Sequence, residues 1–292
     1  MKIGVIGGSG LYGLETLERV TPLTVDTPFG APSDALMHGA IGGREVYFLP
    51  RHGRGHRIMP SEINHRANIW ALKSVGVECV ISVSAVGSLR ENLRPRDIVL
   101  PDQYYDRTKR SFEHTFFGEG VVAHVAFGDP ACGVLRETIA ACAREVLARQ
   151  PELDTRVNAG GTYVNMEGPA FSTRAESNAY RQFGFDIIGM TSLPEAKLCR
   201  EAELCYQAMA MVTDYDCWHA EAEAVNVDLV IGHLLANTRL AKDVLQELIP
   251  AIPESRVCPC GDALANALLS DRTGIPEATR QKLDLIIGRY LQ

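Results

Sequence analysis

The sequence of 292 residues predicts an α/β protein in which a central mixed, largely parallel β-sheet is flanked by helices. Apolar or β-rich runs recur at 2–6, 44–49, 78–84, 96–100, 162–166, 185–189 and 205–213. Helical patterns lie between several of these runs, and strands that alternate with helices favour a parallel sheet covered on both faces. Because the sequence shows no repeat, low-complexity tract or clear linker, we expect residues 1–292 to form a single domain.

The helices are predicted in chain order from apolar spacing and from caps. The first spans 61–75, where apolar residues at 63, 67, 69 and 72 follow Pro60. An alanine-rich helix runs from Asp129-Pro130 to about 149, and another spans 192–201, with Ser192 as N-cap and a proline in the first turn. The longest candidate is 221–248, and 261–270 and 276–290 close the chain.

Composition excludes several classes of function. Hydrophobic residues make up 46% of the chain and charged residues 22%, which is ordinary for a globular enzyme. A net charge of -7 leaves no basic footprint for nucleic acid or a membrane surface. No apolar run reaches the length of a membrane span, and no signal peptide precedes the strand that contains Ile3, so a cytoplasmic location is expected.

The eight cysteines show no C-x-x-C spacing, so the sequence predicts no metal site. Most of them are typical of small buried residues. Cys258 and Cys260 flank a proline, and two interpretations stay open for this C-x-C segment. They are thiols in a surface loop before a helix, or they form a redox-sensitive vicinal disulfide, which a reducing cytosol disfavours.

The segment after the first strand reads GGSG at 7–10 and is suited to approach an anion through its backbone N–H groups. Glycines at 8, 10 and 13 also match the spacing of a dinucleotide-binding fingerprint. However, residues 11–15 are a poor helix start, and Pro22, Pro28 and Pro32 follow, so no βαβ unit fits there. NAD binding is therefore disfavoured, and the lack of a P-loop pattern argues against an ATPase.

A second candidate anion site, RHGRGHR at 51–57, follows the run 46–49. Arginine offers a bidentate fork for phosphate and histidine a further donor, so a bound anion is favoured over a solvated basic loop. A third segment, 82–88, closes another strand with hydroxyls and glycine. The three segments together indicate phosphate used as a reagent.

Further polar turns follow later strands, at 165–174, at 189–192 and at 213–218. The last ends an apolar strand with two carboxylates, Asp214 and Asp216, which could otherwise cap the next helix.

Taken together, these segments resemble the trimeric purine nucleoside phosphorylases, and within them the branch acting on 5′-methylthioadenosine. The most specific parts are RHGRGH at 51–56, Glu167-Gly168-Pro169, Met190-Thr191 with Pro194-Glu195, and TDYDCW at 213–218. The resemblance implies a nucleoside-phosphorylase-like fold, a homotrimer, and phosphorolysis of the nucleoside to adenine and 5-methylthioribose 1-phosphate. Inorganic phosphate is then a co-substrate, and no metal or organic cofactor is required.

The resemblance also implies site residues. The phosphate would be held by Ser9, Arg51, His52, Ser84, the Ala85 backbone and Thr191. The nucleoside would contact Met190 at the ribose, Phe171 on the purine face, Ser172 nearby, Asp214 at N7, Asp216 at the exocyclic amine and Val227 in the methylthio pocket. Val227, with Val230 and Ile231, fits a helix stripe facing the core almost as well.

Two of these residues indicate the base and the chemistry. Relatives that cleave 6-oxopurine nucleosides carry glutamate and asparagine where this chain has Ser172 and Asp214, and a carboxylate accepts from the 6-amino group of adenine. The departing purine gains negative charge, so Asp214 is the predicted proton donor, which burial or the neighbouring Asp216 would keep protonated. The alternatives are a phosphorylase for inosine, guanosine or 5′-methylthioinosine, a hydrolase that uses water, and a non-catalytic binding module.

Overall fold

The computed structural model of the protein describes residues 1–8, 11, 17–219 and 227–291, without the side chains of 111 and 227–231. Its strands are β1 (Lys2–Gly7), β2 (Glu18–Leu23), β3 (Leu36–Ile41), β4 (Arg44–Pro50), β5 (Val77–Ser88), β6 (Ile98–Leu100), β7 (Gln103–Asp106), β8 (Val157–Ala159), β9 (Thr162–Asn165), β10 (Ile187–Gly189) and β11 (Cys205–Asp214). Its α-helices are α1 (His65–Ser74), α2 (Gly133–Ala148), α3 (Arg174–Gln182), α4 (Ser192–Glu201), α5 (Val227–Ala251) and α6 (Glu277–Ile287). No helix in these ranges is long and apolar enough to cross a membrane.

The strands form one mixed sheet in the order β2-β3-β4-β1-β5-β10-β9-β7, and β5 also pairs with β11, which leads on to β6 and β8. Six of the ten strand pairings in the described chain are parallel. The neighbours β4, β1, β5 and β11 are all parallel, so their carboxyl ends meet at one edge of the sheet. The predicted mixed, largely parallel sheet is confirmed, and the assignment of 1–292 to one domain stays a prediction.

Helices cover both faces of the sheet because the central strands alternate their side chains between two apolar clusters. In β11, Cys205, Met209 and Met211 pack with α2 and α5, whereas Tyr206 and Ala208 pack with α1, α4 and α6 on the other face. Each fully buried Val, Leu or Ile side chain contributes about 1.5–3 kcal/mol. The sheet therefore offers a rigid frame for the loops at its carboxyl edge.

Several predicted boundaries move in the structure. The helix predicted over 61–75 begins at His65, because residues Pro60–Glu62 form a 3₁₀ turn and the Asn64 side chain accepts the Ala67 N–H. The helix predicted from Asp129 begins at Gly133. Helix α4 has the predicted bounds, but its N-cap is Thr191 and not Ser192.

The helix predicted over 261–270 is wrong. The segment holds the end of a 3₁₀ helix, Pro259–Asp262, followed by turns and an isolated bridge from Leu268 to Ala123. The sequence reading also missed strands β2, β3, β7 and β8. Strand β2 is exposed along its whole length and pairs on one side only, so it lacks the apolar run by which the other strands were recognised.

Candidate active site

A cavity of about 390 Å³ opens at the carboxyl edge of the sheet, where β1, β4, β5 and β11 end. Open α/β sheets bind ligands at this edge, and the volume is in the range of small-molecule sites. Nine residues predicted for the site line it together: Arg51, His52, Ser84, Ala85, Phe171, Met190, Thr191, Asp214 and Asp216.

Arg51 lies at the buried end of the cavity, with 2% of its surface exposed. Its Nε and Nη2 atoms bind the two carboxylate oxygens of Glu195, while Nη2 also donates to Ser82 Oγ and Nη1 to the Val83 carbonyl. Burial disfavours the guanidinium charge, yet Glu195 outweighs it and raises the pKa of Arg51. The predicted bidentate fork for phosphate is therefore wrong: four of the five N–H groups of the side chain are used within the protein, and one on Nη1 is left for a ligand.

A buried polar network holds this arginine in place. Glu195 Oε2 accepts from Ser82 Oγ at 2.6 Å and from the Tyr206 hydroxyl at 3.1 Å. Tyr206 in turn lies 2.8 Å from Ser192 Oγ. Because removing one partner of a buried ion pair leaves an uncompensated charge, Glu195 and Ser82 are positioning residues for Arg51. The sequence reading quoted Glu195 within a motif and gave it no role.

His52 is neutral and has one defined tautomer. Its Nδ1 lies 2.8 Å from the Ile58 carbonyl, which can only accept, so Nδ1 carries the proton and Nε2 is an acceptor. Burial, and then the charge of Arg51, lowers the pKa of His52 to about 4. A neutral imidazole with a free Nε2 suits a phosphate that presents a P–OH group. His56, whose ring stacks on His52 at 4.4 Å, also lines the cavity, whereas Arg54 pairs with Asp34 at 2.8 Å.

Two hydroxyl groups near Arg51 are buried and make no well-aligned hydrogen bond among the described residues. They are Ser84 Oγ, at the cavity wall, and the phenol of Tyr163. Burial raises the pKa of the Tyr163 phenol, and contacts with Ser84 and the Thr191 backbone partly offset this effect. Buried polar groups are nearly always satisfied, so an orphaned hydroxyl in a cavity indicates that a polar ligand completes it. Gly189 admits the phenol, since a Cβ at this position would lie 1.9 Å from the Tyr163 oxygen. The sequence reading missed Tyr163, which sits inside the apolar run 162–166.

The amino end of α4 reaches the same part of the cavity. Thr191 is its N-cap, is buried, and makes no side-chain capping bond. The Leu193 N–H of this helix already donates to Asn165 Oδ1 at 3.0 Å and Pro194 has no N–H, so α4 offers an anion chiefly the Thr191 hydroxyl and the dipole of its amino end. Arg51, Ser84 and Thr191 thus bring unused donors to one end of the cavity.

The other end carries the two predicted carboxylates. Asp214 Oδ1 accepts the backbone N–H of Asp216 at 2.8 Å, and Oδ2 accepts from the Thr213 hydroxyl at 2.7 Å. Asp216 Oδ2 accepts from Ser177 Oγ at 2.6 Å. Burial, and further the charge of Asp214, raises the pKa of Asp216. The bond from Asp216 N–H to Asp214 Oδ1 forms a turn just before the short 3₁₀ helix Asp216–Trp218, whose N-cap is Tyr215 and has no side-chain capping bond, so the alternative that these carboxylates cap the next helix is wrong for this helix.

Phe171 and Met190 also line the cavity. Phe171 is 80% exposed at the rim of the cavity, and Met190 packs on Gly168. Gly168 has φ of +73°, and a Cβ there would lie 2.6 Å from the Met190 sulfur. Glycine at this position therefore fixes where Met190 lies.

One predicted site residue does not line the cavity, and two others are not described. Ser172 is not among the lining residues: its hydroxyl contacts the sulfur of Met166, which does line the cavity, at 3.9 Å. Ser9 lies outside the described residues, and so do the side chains of Val227, Val230 and Ile231. The part of α5 that is described contributes Leu234, Asn237 and Thr238, a helical face that the sequence reading did not single out.

Comparisons with known proteins identify the family of the chain. The family model of the phosphorylase superfamily matches residues 2–250. An S-methyl-5′-thioadenosine phosphorylase of Koribacter versatilis is 55% identical over 289 residues, which cover 99% of this chain and 96% of the relative.

Two solved structures are similar over nearly the whole chain. A methylthioadenosine phosphorylase from an Antarctic soil metagenomic library aligns with a TM-score of 0.92 at 44% identity, covering 98% of both chains. The Schistosoma mansoni methylthioadenosine phosphorylase in complex with adenine aligns with a TM-score of 0.81 at 36% identity, covering 99% of this chain and 98% of the other. The chain therefore belongs to the phosphorylase superfamily, which confirms the family resemblance drawn from its sequence.

Proposed function

We propose that this chain catalyses the phosphorolysis of 5′-methylthioadenosine, yielding adenine and 5-methylthioribose 1-phosphate. The observation that carries the proposal is a single cavity with unused donors at one end and two carboxylates at the other. The relatives named S-methyl-5′-thioadenosine phosphorylase, at 48–55% identity over nearly the whole chain, support the same reaction.

The phosphate end binds the nucleophile. The remaining Arg51 N–H, the Ser84 hydroxyl, the Ala85 backbone, Thr191 and Ser9 would donate to phosphate oxygens, while His52 Nε2 accepts a hydrogen bond from the P–OH group. A phosphate oxygen then bonds to C1′ of the ribose as the C1′–N9 bond breaks and its electron pair moves onto the purine. Phosphate charge beside the ribose stabilises the oxocarbenium character of the transition state, and the cavity holds both reactants in one geometry.

The carboxylate end receives the leaving base. Protonation of N7 neutralises the charge that the purine gains, and Asp214 is the donor in this proposal. Thr213 Oγ1 has one proton and lies 3.2 Å from the Val86 carbonyl as well as 2.7 Å from Asp214 Oδ2. Since a carbonyl can only accept, the single Thr213 proton serves either Asp214 Oδ2 or the Val86 carbonyl.

The hydrogen bond that Asp216 can make to the base favours adenine over a 6-oxopurine. Asp216 would accept from the 6-amino group, with Ser177 holding the carboxylate from behind. The carbonyl oxygen at C6 of a 6-oxopurine would instead face the Asp216 carboxylate. Both groups only accept hydrogen bonds, so the bond to the base would be lost and the two oxygens would repel each other. Ser172 acts at most through its neighbours, since it does not line the cavity.

The resemblance further implies a homotrimer and a cytoplasmic location, and both belong to the proposal. Phe171 is 80% exposed although it borders the cavity, which a neighbouring subunit would cover. The molar mass in solution tests this: three times 31.9 kDa is expected, and a monomer would contradict it.

The first experiment measures adenine release from 5′-methylthioadenosine with and without inorganic phosphate, with inosine in parallel. Release that requires phosphate and favours methylthioadenosine supports the proposal. Preference for inosine would leave a phosphorylase with the other base specificity, release without phosphate would indicate a hydrolase, and binding without turnover a binding module. The variant Asp214→Asn tests the base contact: activity on adenine nucleosides is expected to fall about 100-fold, the scale of a lost general acid. Unchanged activity would refute the role of Asp214.

A further inference from the structure

Four of the eight cysteines lie together in the fold, although no two of them have the C-x-x-C spacing in the sequence. Cys132 is the N-cap of α2, Cys205 is the first residue of β11, and Cys258 and Cys260 flank Pro259 in the segment after α5. Their four sulfur atoms all lie within 4.8 Å of one another, and all four residues are free thiols. Three separate segments of the chain therefore converge on one group of sulfurs.

The arrangement has the dimensions of a tetrahedral metal site. A zinc ion bound by four thiolates at about 2.3 Å requires sulfurs roughly 3.8 Å from one another. The sulfurs of Cys205 and Cys258 are 3.2 Å apart, and the widest separation in the group is within 4.8 Å, so the group brackets this spacing. Small shifts of side chains would suffice to bind the ion.

Packing alone does not explain the group. Cysteines are often buried as small apolar residues, and Cys142 and Cys199 fit that description outside the group. Such residues need only an apolar surround. Nothing in apolar packing requires four sulfurs from three segments to contact one another, whereas a thiophilic ion with four coordination positions does.

The charge of the surroundings fits the same ion. A zinc tetrathiolate carries a net charge of two minus, which is costly in an apolar core unless a cation lies near. Arg256 lines the same small cavity as Cys132, Cys205 and Cys258, and its Nε is buried with no hydrogen-bond partner among the described residues. Its Nη1 is held by the Glu203 carbonyl, and its Nη2 lies near both the Glu78 carbonyl and, at 3.7 Å, the Glu78 carboxylate, which neutralises part of the arginine charge.

We propose that Cys132, Cys205, Cys258 and Cys260 bind one Zn²⁺ ion as a structural site. Binding releases the four thiol protons and joins the start of α2, the start of β11 and the 258–260 segment. Cys205 and Asp214 are the two ends of β11, nine residues apart, so the site lies about 30 Å from the catalytic edge of the sheet. The ion stabilises the fold and takes no part in phosphorolysis.

The test begins with the metal content of the full-length protein, purified under reducing conditions and supplied with Zn²⁺. One zinc per chain is expected by elemental analysis. Co²⁺ in its place should give the thiolate-to-metal charge-transfer bands and intense d–d bands of tetrahedral coordination. In Cys258→Ser both the cobalt bands and at least 90% of the bound zinc should be lost. The control Cys142→Ser, altered in a cysteine outside the group, should keep them.

Stability provides a second measurement that does not depend on the substitutions. A zinc chelator should lower the Tm of the unaltered protein, and added Zn²⁺ should restore it, while kcat at 25 °C stays unchanged. The proposal is overturned if the protein holds no zinc and shows no cobalt bands. Peptide mapping that finds disulfides among these four residues in protein purified with reductant would also overturn it, because oxidised sulfurs cannot bind the ion.

Discussion

The hydroxyl of Ser84 provides a sharp test of the phosphate site, because it has little structural bonding to lose. Ser84 Oγ is buried and makes no well-aligned hydrogen bond among the described residues, its one close polar neighbour being the Tyr163 phenol, so Ser84→Ala removes at most one weak contact within the protein. We expect its Tm to equal or slightly exceed that of the unaltered protein. A hydrogen bond to a charged ligand contributes about 1.5–3 kcal/mol, so the KM for phosphate should rise roughly 10- to 100-fold. The KM for the nucleoside should change little.

Ser82→Ala is the matched control, two residues earlier on the same strand. Ser82 is fully buried, donates to Glu195 at 2.6 Å and accepts from Arg51 at 2.6 Å. Losing both bonds leaves two charged groups poorly satisfied and should destabilise the protein by about 3 kcal/mol. For a chain of this size that corresponds to roughly 6 °C in Tm.

The assay is initial-rate adenine release at varied phosphate, with Tm measured on the same preparations. The reasoning is refuted if Ser84→Ala binds phosphate as the unaltered protein does. It is equally refuted if Ser84→Ala loses as much stability as Ser82→Ala, because Ser84 would then have a structural role that the geometry does not show.

Two further predictions concern His52 and Gly168. The pKa of His52 is about 4 in the folded protein, against 6.5 ordinarily. Between these two pH values the unfolded chain therefore binds more protons than the folded protein does. The free energy of unfolding that neutral His52 contributes is thus fully present above pH 6.5 and is lost as the pH falls towards 4. His52→Asn, whose amide can still donate to Ile58, should therefore show a smaller drop in Tm over pH 6.5 to 4, and an equal drop would contradict the assignment. Gly168→Ala, with φ of +73° and a clash with Met190, should raise the KM for the nucleoside, whereas Gly43→Ala, with φ of +76° and open space, should share only the backbone strain. Similar nucleoside KM values in the two glycine variants would argue against a placing role for Met190.

Local sequence was sufficient to predict the fold class and the segments that line the cavity. Apolar runs identify buried strands wherever they occur, and polar or glycine-rich residues directly after such a run lie at the carboxyl edge of a parallel sheet. Such patterns indicate the segments that contain Arg51, Ser84, Thr191 and Asp214, the family resemblance selects the residues within them, and the cavity brings these residues together. The exposed strand β2 and the turns of 261–270 were misread because neither has a periodic apolar pattern that matches its structure.

What the sequence could not determine are the contacts between distant segments. Arg51 and Glu195 are 144 positions apart, and their ion pair turns the arginine fork away from the ligand. Tyr163, buried in an apolar run, becomes a candidate group only because Gly189 of the neighbouring strand admits its hydroxyl. The four cysteines at 132, 205, 258 and 260 belong to three segments that only the folded chain brings within 4.8 Å. Sequence spacing reports neighbours along one strand or helix, whereas hydrogen-bond partners and metal ligands depend on how those elements pack.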